Sequence, residues 1–117
     1  MRFDIEYEKE IDFQHIDDIN EAGRKFSEIT NLLNRVLFVR QHAKKAILEE
    51  CSTWTGEKLF KLSWDNKLVR LAELSGSSDL TNLWQDADVA YRRIRIKQAQ
   101  LLEDILLLKK TIEILPR

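Results

Sequence analysis

Little in this sequence can stop a helix, and little in it can do chemistry. Of 117 residues one is proline, Pro116, and three are glycine, so the residues that punctuate loops and sheets are almost missing. A single cysteine, Cys51, excludes an intramolecular disulfide and suits folding under reducing conditions. With 19 basic side chains against 20 acidic ones, no net field draws the chain to nucleic acid or to anionic lipid. No purely apolar run is longer than the four residues of Ile105–Leu108, far short of the roughly 20 a membrane span needs. The opening MRFDIEYEKE has neither the basic n-region nor the apolar h-region of a signal peptide. The expectation is a cytoplasmic chain that leaves the cell, if at all, with a partner and by a route that reads no cleavable leader.

Catalytic groups are equally scarce. There are two histidines, His15 and His42, and no glycine-rich loop to cradle phosphate. Cys51 lies nine residues after His42, about 13 Å of rise if both share one helix, too far for a thiolate–imidazole pair. Asp12 and His15 have the i,i+3 spacing of helical di-metal sites, but such sites need the motif twice with two further carboxylates. No catalytic residue, cofactor or metal is therefore expected, and the chain is not read as an enzyme.

What the sequence does have is helical periodicity over a single expected domain, 1–117. Ile19, Ala22, Phe26, Ile29, Leu33, Val36, Arg40, Ala43 and Ile47 alternate steps of three and four, broken only by Arg40. A helix over about 12–51 follows, roughly 60 Å long. Ser52-Thr53-Trp54-Thr55-Gly56 interrupts it with residues that favour caps and turns. A second helix is expected over about 57–74, with Phe60, Trp64, Leu68 and Leu71 on one face. Ser75–Asp79 makes a second break, with Gly76 placed to cap one helix and Ser78 or Asp79 the next. The third helix, about 79–115, carries the cleanest seam: Trp84, Ala87, Tyr91, Ile94, Gln98, Leu101, Ile105, Leu108, Ile112 and Leu115, with only Gln98 polar. Leu102, Leu106, Leu107 and Ile114 lie off that seam, so this helix is apolar on several sides and needs cover on several sides. The first eleven residues read either as a strand or as a helical turn, with helix preferred for want of a pairing partner.

The aromatic residues divide by position. Trp84 and Tyr91 belong to the seam and read as core. Phe60 and Trp64 read as core or as interface. Trp54 stands in a turn, where it either closes the end of its own bundle or meets a partner. Arg92, Arg93, Arg95 and Lys97 form a local basic cluster, which makes a nucleic-acid-associated or regulatory helical protein the alternative reading.

Trp54-Thr55-Gly56 between two helical segments, followed by Phe60 and Trp64, resembles the W-x-G family of small helical hairpins of type VII secretion. The resemblance spans about residues 12–74. It implies that Trp54, Thr55 and Gly56 form the turn between antiparallel helices that pair into four-helix bundles. Greater length, the break at Ser75–Asp79 and the lack of a clear C-terminal aromatic-x-x-x-acid signal set the chain apart from the ordinary member. Trp84–Asp88 and Phe13–Asp17 have that spacing by position only. These departures make it similar to the subgroup that serves LXG toxins as targeting factors or chaperones. By that resemblance the partner is the helical N-terminal domain of such a toxin or a second small W-x-G-like protein, and a homodimer is a further option. Phe60, Trp64, Trp84, Tyr91, Leu101, Ile105, Leu108 and Ile112 are the expected packing or partner face. The fold expected is all-α: an elongated antiparallel hairpin with an interrupted second arm, or a three-helix bundle.

Overall fold

The computed structural model describes residues 2–54, 56 and 58–114. It is all-helical, 82% helix, with no strand among the described residues. A one-turn helix α1 (Glu8–Ile11) precedes the long α2 (Ile19–Thr53); a short 3-10 turn (Leu59–Lys61) leads to α3 (Trp64–Ser75); α4 (Asp79–Ile114) follows. The long helices α2 and α4 pack against each other. By its contacts the chain divides into two compact units: Met1–Asp4 with Leu37–Val89, and Ile5–Val36 with Ala90–Arg117.

Three boundaries differ from the sequence reading, each for a local reason. The first long helix begins at Ile19, not near residue 12, because Asp18 caps it: the Asn20 N–H donates to Asp18 Oδ1 at 3.2 Å. It also runs two residues past Cys51, since the Ser52 and Thr53 hydroxyls donate back to the Glu49 and Glu50 carbonyls. The second helix begins at Trp64, not near residue 57. Ser63 is its N-cap, its Oγ accepting from the Asn66 N–H at 3.4 Å, while Leu62 is extended. Residues 2–7 form no helix, and α1 supplies only four helical residues beyond them.

The unit containing α3 is built on Ile47, Cys51, Leu59, Leu68 and Leu71, with Trp54, Trp64, Leu74, Leu80 and Trp84 packed around them. Ala43 and Ala87 are fully buried in the same unit. Leu83, rather than the neighbouring Trp84, is the buried residue at the start of the α4 seam. Small side chains let helices approach, and the indole of Trp84 covers the flank. In the other unit Tyr7, Ile11 and Ile16 from the N-terminal arm are buried with Ala22, Ile29, Val36, Ala90, Ile94 and Leu101. That arm is also pinned by Phe13, whose ring lies under the ammonium groups of Lys25 and Lys97 at 5.4 and 5.2 Å. Residues 12–18 leave the helical path, and Ile16 among them is buried.

The two polar breaks in the seams are answered across the helices. Arg40 Nε lies 2.9 Å from Asp88 Oδ1, with the Arg side chain 30% and the Asp side chain 10% exposed. The contact is ionic, the Nε–H being turned off the line of a hydrogen bond. Gln98 Nε2 donates to Thr30 Oγ1 at 3.0 Å. Thr30 and Arg40 are ten residues apart on α2, and Asp88 and Gln98 ten apart on α4, so each unit has the same antiparallel offset. Removing Asp88 takes the carboxylate from a mostly buried cation. Asp88→Ala is expected to cost about 3 kcal/mol, the low end for a broken buried pair because Arg40 keeps part of its side chain in water. Replacing both, Arg40→Met with Asp88→Leu, should recover most of that loss. Urea unfolding of the single and double variants checks this, and an unchanged midpoint for Asp88→Ala would show that the pair holds nothing.

Candidate partner-binding surface

The tripeptide that carries the family resemblance is the first place to look. Thr55 lies outside the described residues. Trp54 follows the last helical residue, with its N–H donating to the Cys51 carbonyl at 3.3 Å. Its ring packs onto the Ile47–Leu71 cluster. So Trp54 closes the end of its own unit's core. Gly56 has no left-handed φ, and a Cβ added to it meets nothing within 4 Å. Neither reason for requiring glycine applies there. The left-handed residue in this connection is Lys58, at φ 53 and ψ 41, a conformation that costs a β-carbon-bearing residue about 1 kcal/mol. At the second break the expectation holds: Gly76 is left-handed at φ 70, and its N–H donates to the Ala72 carbonyl at 3.1 Å.

Phe60 and Trp64 do not share a helical face. Phe60 sits in the 3-10 turn, 61% exposed, with the Lys61 ammonium 5.9 Å from its ring. Trp64 opens α3 and meets Trp84 edge-on at 5.1 Å between ring centroids. Lys44 lies over Trp64 and Arg40 over Trp84, at 5.6 and 5.7 Å. The indole nitrogens of Trp54, Trp64 and Trp84 are all buried with no hydrogen-bond partner among the described residues. Trp64 and Trp84 are held by shape and by cations, and Trp54 by its packing on the cluster. Cys51, in the same core, is buried, and desolvation pushes its thiol above its ordinary pKa.

The other sequence candidates are also occupied. In Trp84–Asp88 both residues face Arg40, and Phe13 of Phe13–Asp17 sits between two lysines. Asp12 and His15 lie outside any helix, and no metal-binding cluster occurs among the described residues. His15 instead pairs with Asp17 at 2.9 Å on the surface. Within the basic cluster Arg93 reaches Glu8 at 3.8 Å, Arg95 donates to the Tyr91 hydroxyl at 2.8 Å, and Lys97 covers Phe13. A stripe already paired within its own chain is a poor phosphate-binding face. No described helix is long and apolar enough to cross a membrane.

Exposed apolar residues are scattered singly in the α3 unit, as on most proteins, with Phe38 stacked on His42 and Phe60 against Lys61. In the other unit they concentrate. Leu101 is the last fully buried residue of α4. Beyond it Ile105 and Leu108 are half-buried, while Leu102, Leu106, Leu107, Ile112 and Ile114 are exposed, Leu107 by 61% and Ile114 by 80%. Within the expected face Leu101 is buried, Ile105 and Leu108 are half-buried, and Phe60 and Ile112 are open. The larger open surface comes from the off-seam leucines. Their signal in the sequence was a helix apolar on several sides.

Comparison with protein-family models, with curated proteins and with solved structures returns no match to this chain.

The glycines separate the two breaks experimentally. Gly56→Ala should be tolerated, or stabilise by about 0.5 kcal/mol, whereas Gly76→Ala should cost about 1 kcal/mol. Trp54→Ala should cost about 3 kcal/mol and Trp54→Phe under about 1.5, since no hydrogen bond is lost. Denaturant midpoints of the four variants provide the check. The Cys51 thiol should react with iodoacetamide only slowly until urea unfolds the chain. Because the folded state holds that proton more tightly than the unfolded chain, this stabilisation is complete below the ordinary thiol pKa. It is lost as pH rises through the raised folded value.

Proposed function

We propose that the chain is a helical interaction protein whose binding surface is the C-terminal third of α4. The observation that supports this is the run of exposed apolar residues after Leu101, on a helix whose earlier turns are buried. A helix presenting leucine and isoleucine on several sides is best covered by another helix, laid along it as an added member of a bundle. The reading assigns the chain no reaction of its own.

The partner proposed is the helical N-terminal domain of an LXG-type toxin, with the chain acting as its targeting factor or chaperone for type VII secretion. A second small W-x-G-like protein would suit the same surface. Support for that identity comes from Trp54-Thr55-Gly56 in a chain of long paired helices. Binding would take place in the cytoplasm, before any export of the pair. Occupation of the surface would stabilise the chain by mass action.

Co-expression with an LXG-type N-terminal domain tests the reading. The two should co-purify, and the complex should melt higher than the chain alone. Leu106→Glu with Leu107→Glu should abolish capture by placing charge in an apolar interface, at a cost of roughly tenfold or more in affinity per residue. Both residues are exposed, so the variant should keep the wild-type helicity and unfolding midpoint. Undiminished capture by this variant would move the surface elsewhere.

A further inference from the structure

Two packed helices leave an apolar groove between them that a third element must cover. In the unit of Ile5–Val36 and Ala90–Arg117 that element is the N-terminal arm, residues 5–18, of which only Glu8–Ile11 are helical. Phe13 lies across both helices, its ring 5.4 Å from the Lys25 ammonium of α2 and 5.2 Å from that of Lys97 on α4. Glu10 reaches Lys25 at 3.7 Å, and Glu8 reaches Arg93 at 3.8 Å. Tyr7, Ile11 and Ile16 supply the buried side of the arm.

The arm is acidic and its seat is basic. Residues 5–18 hold six acids, all exposed, and Lys9 as their one lysine or arginine. Lys25, Arg93 and Lys97 meet the arm from α2 and α4. The seat also adjoins the surface already proposed: Lys97 and Leu101 are one turn apart, and the exposed leucines begin at Leu102.

Two features mark the arm as a cover. Tyr7, Ile11 and Ile16 each keep 9% of their surface in water, whereas Ala22, Ile29, Ile94 and Leu101 in the same unit keep none. The Glu8 and Glu10 side chains are 79% and 55% exposed, and ion pairs of that kind are weak and screened by salt. Lifting the arm leaves Gln98 on Thr30, so it costs less than parting α2 from α4.

We propose that the arm is a displaceable cover on the α2–α4 groove, and that the ligand of this groove is an acidic amphipathic segment of a helical partner. The inference rests on the function proposed above and adds its regulation. The partner's segment follows the exposed end of α4 into the groove, and the chain's own arm competes with it there.

A fluorescein-labelled peptide of residues 5–18 is the probe, read by anisotropy against the full-length chain. Wild type should bind it weakly, because apparent affinity falls with the fraction of molecules whose groove is open. Glu8→Lys with Glu10→Lys sets like charges against Arg93 and Lys25, and should bind the peptide roughly tenfold or more tightly. Ile11→Ala with Ile16→Ala loosens the arm without changing its charge and should act in the same direction. Both variants should keep the wild-type helicity, the arm holding only four helical residues. A peptide carrying Glu8→Lys and Glu10→Lys should bind either variant roughly tenfold or more weakly than the acidic one. Equal affinity of all three proteins for the acidic peptide overturns the proposal, as does equal binding of the two peptides. The two readings fail separately. Peptide exchange without capture of an LXG-type domain removes only that partner, and capture equal in all three proteins, without exchange, removes only the cover.

Discussion

Two long helices can slide past one another by a turn at little cost if only leucine and isoleucine lie between them. Here a buried charge prevents that. Arg40 finds a carboxylate at Asp88 and an indole face at Trp84, one turn apart on α4, and a shift of either helix would part a half-buried guanidinium from a carboxylate that is mostly out of water. Gln98 and Thr30 repeat the device with neutral groups and the same offset. Such residues add little net stability relative to an apolar pair, but they make one register far better than its neighbours. The packing of Ala43 and Ala87 and the placement of Trp64 and Trp84 fit that register.

The parts of the fold legible in the sequence were those set by periodicity. Alternating threes and fours located α2 and α4, and Gly76 with Ser77 and Ser78 marked the break before α4. Gly76 is left-handed, and the Ser77 hydroxyl accepts from the Asp79 N–H at 3.3 Å. Less legible were features that depend on what lies opposite. Arg40 and Gln98 appeared as flaws in a seam because their partners, Asp88 and Thr30, are distant in sequence. The connection after Trp54 was read as the start of a helix from its aromatic spacing. There Ser63 offers the stronger cap, and Lys58 takes the left-handed conformation that glycine would take more cheaply.

The proposed binding surface was half legible. An apolar circumference after Leu101 was plain from the sequence, but the residues nearest the seam are those the chain covers for itself. Periodicity ranks positions by how well they fit one face, whereas a docking surface consists of what the first face leaves over. Leu106 and Leu107 qualify because they miss the pattern.

The unequal covering of α4 also bears on how long the protein lasts in a cell. From Leu102 to Ile114 the helix runs thirteen residues with no fully buried side chain, about the length at which an isolated helix is marginal in water. Opening of that end costs far less than unfolding the rest, so backbone amides there exchange with solvent early and proteases find it first. Covering the surface would close the same amides. Occupancy and lifetime then become a single variable, and uncovered copies would be the first to be degraded.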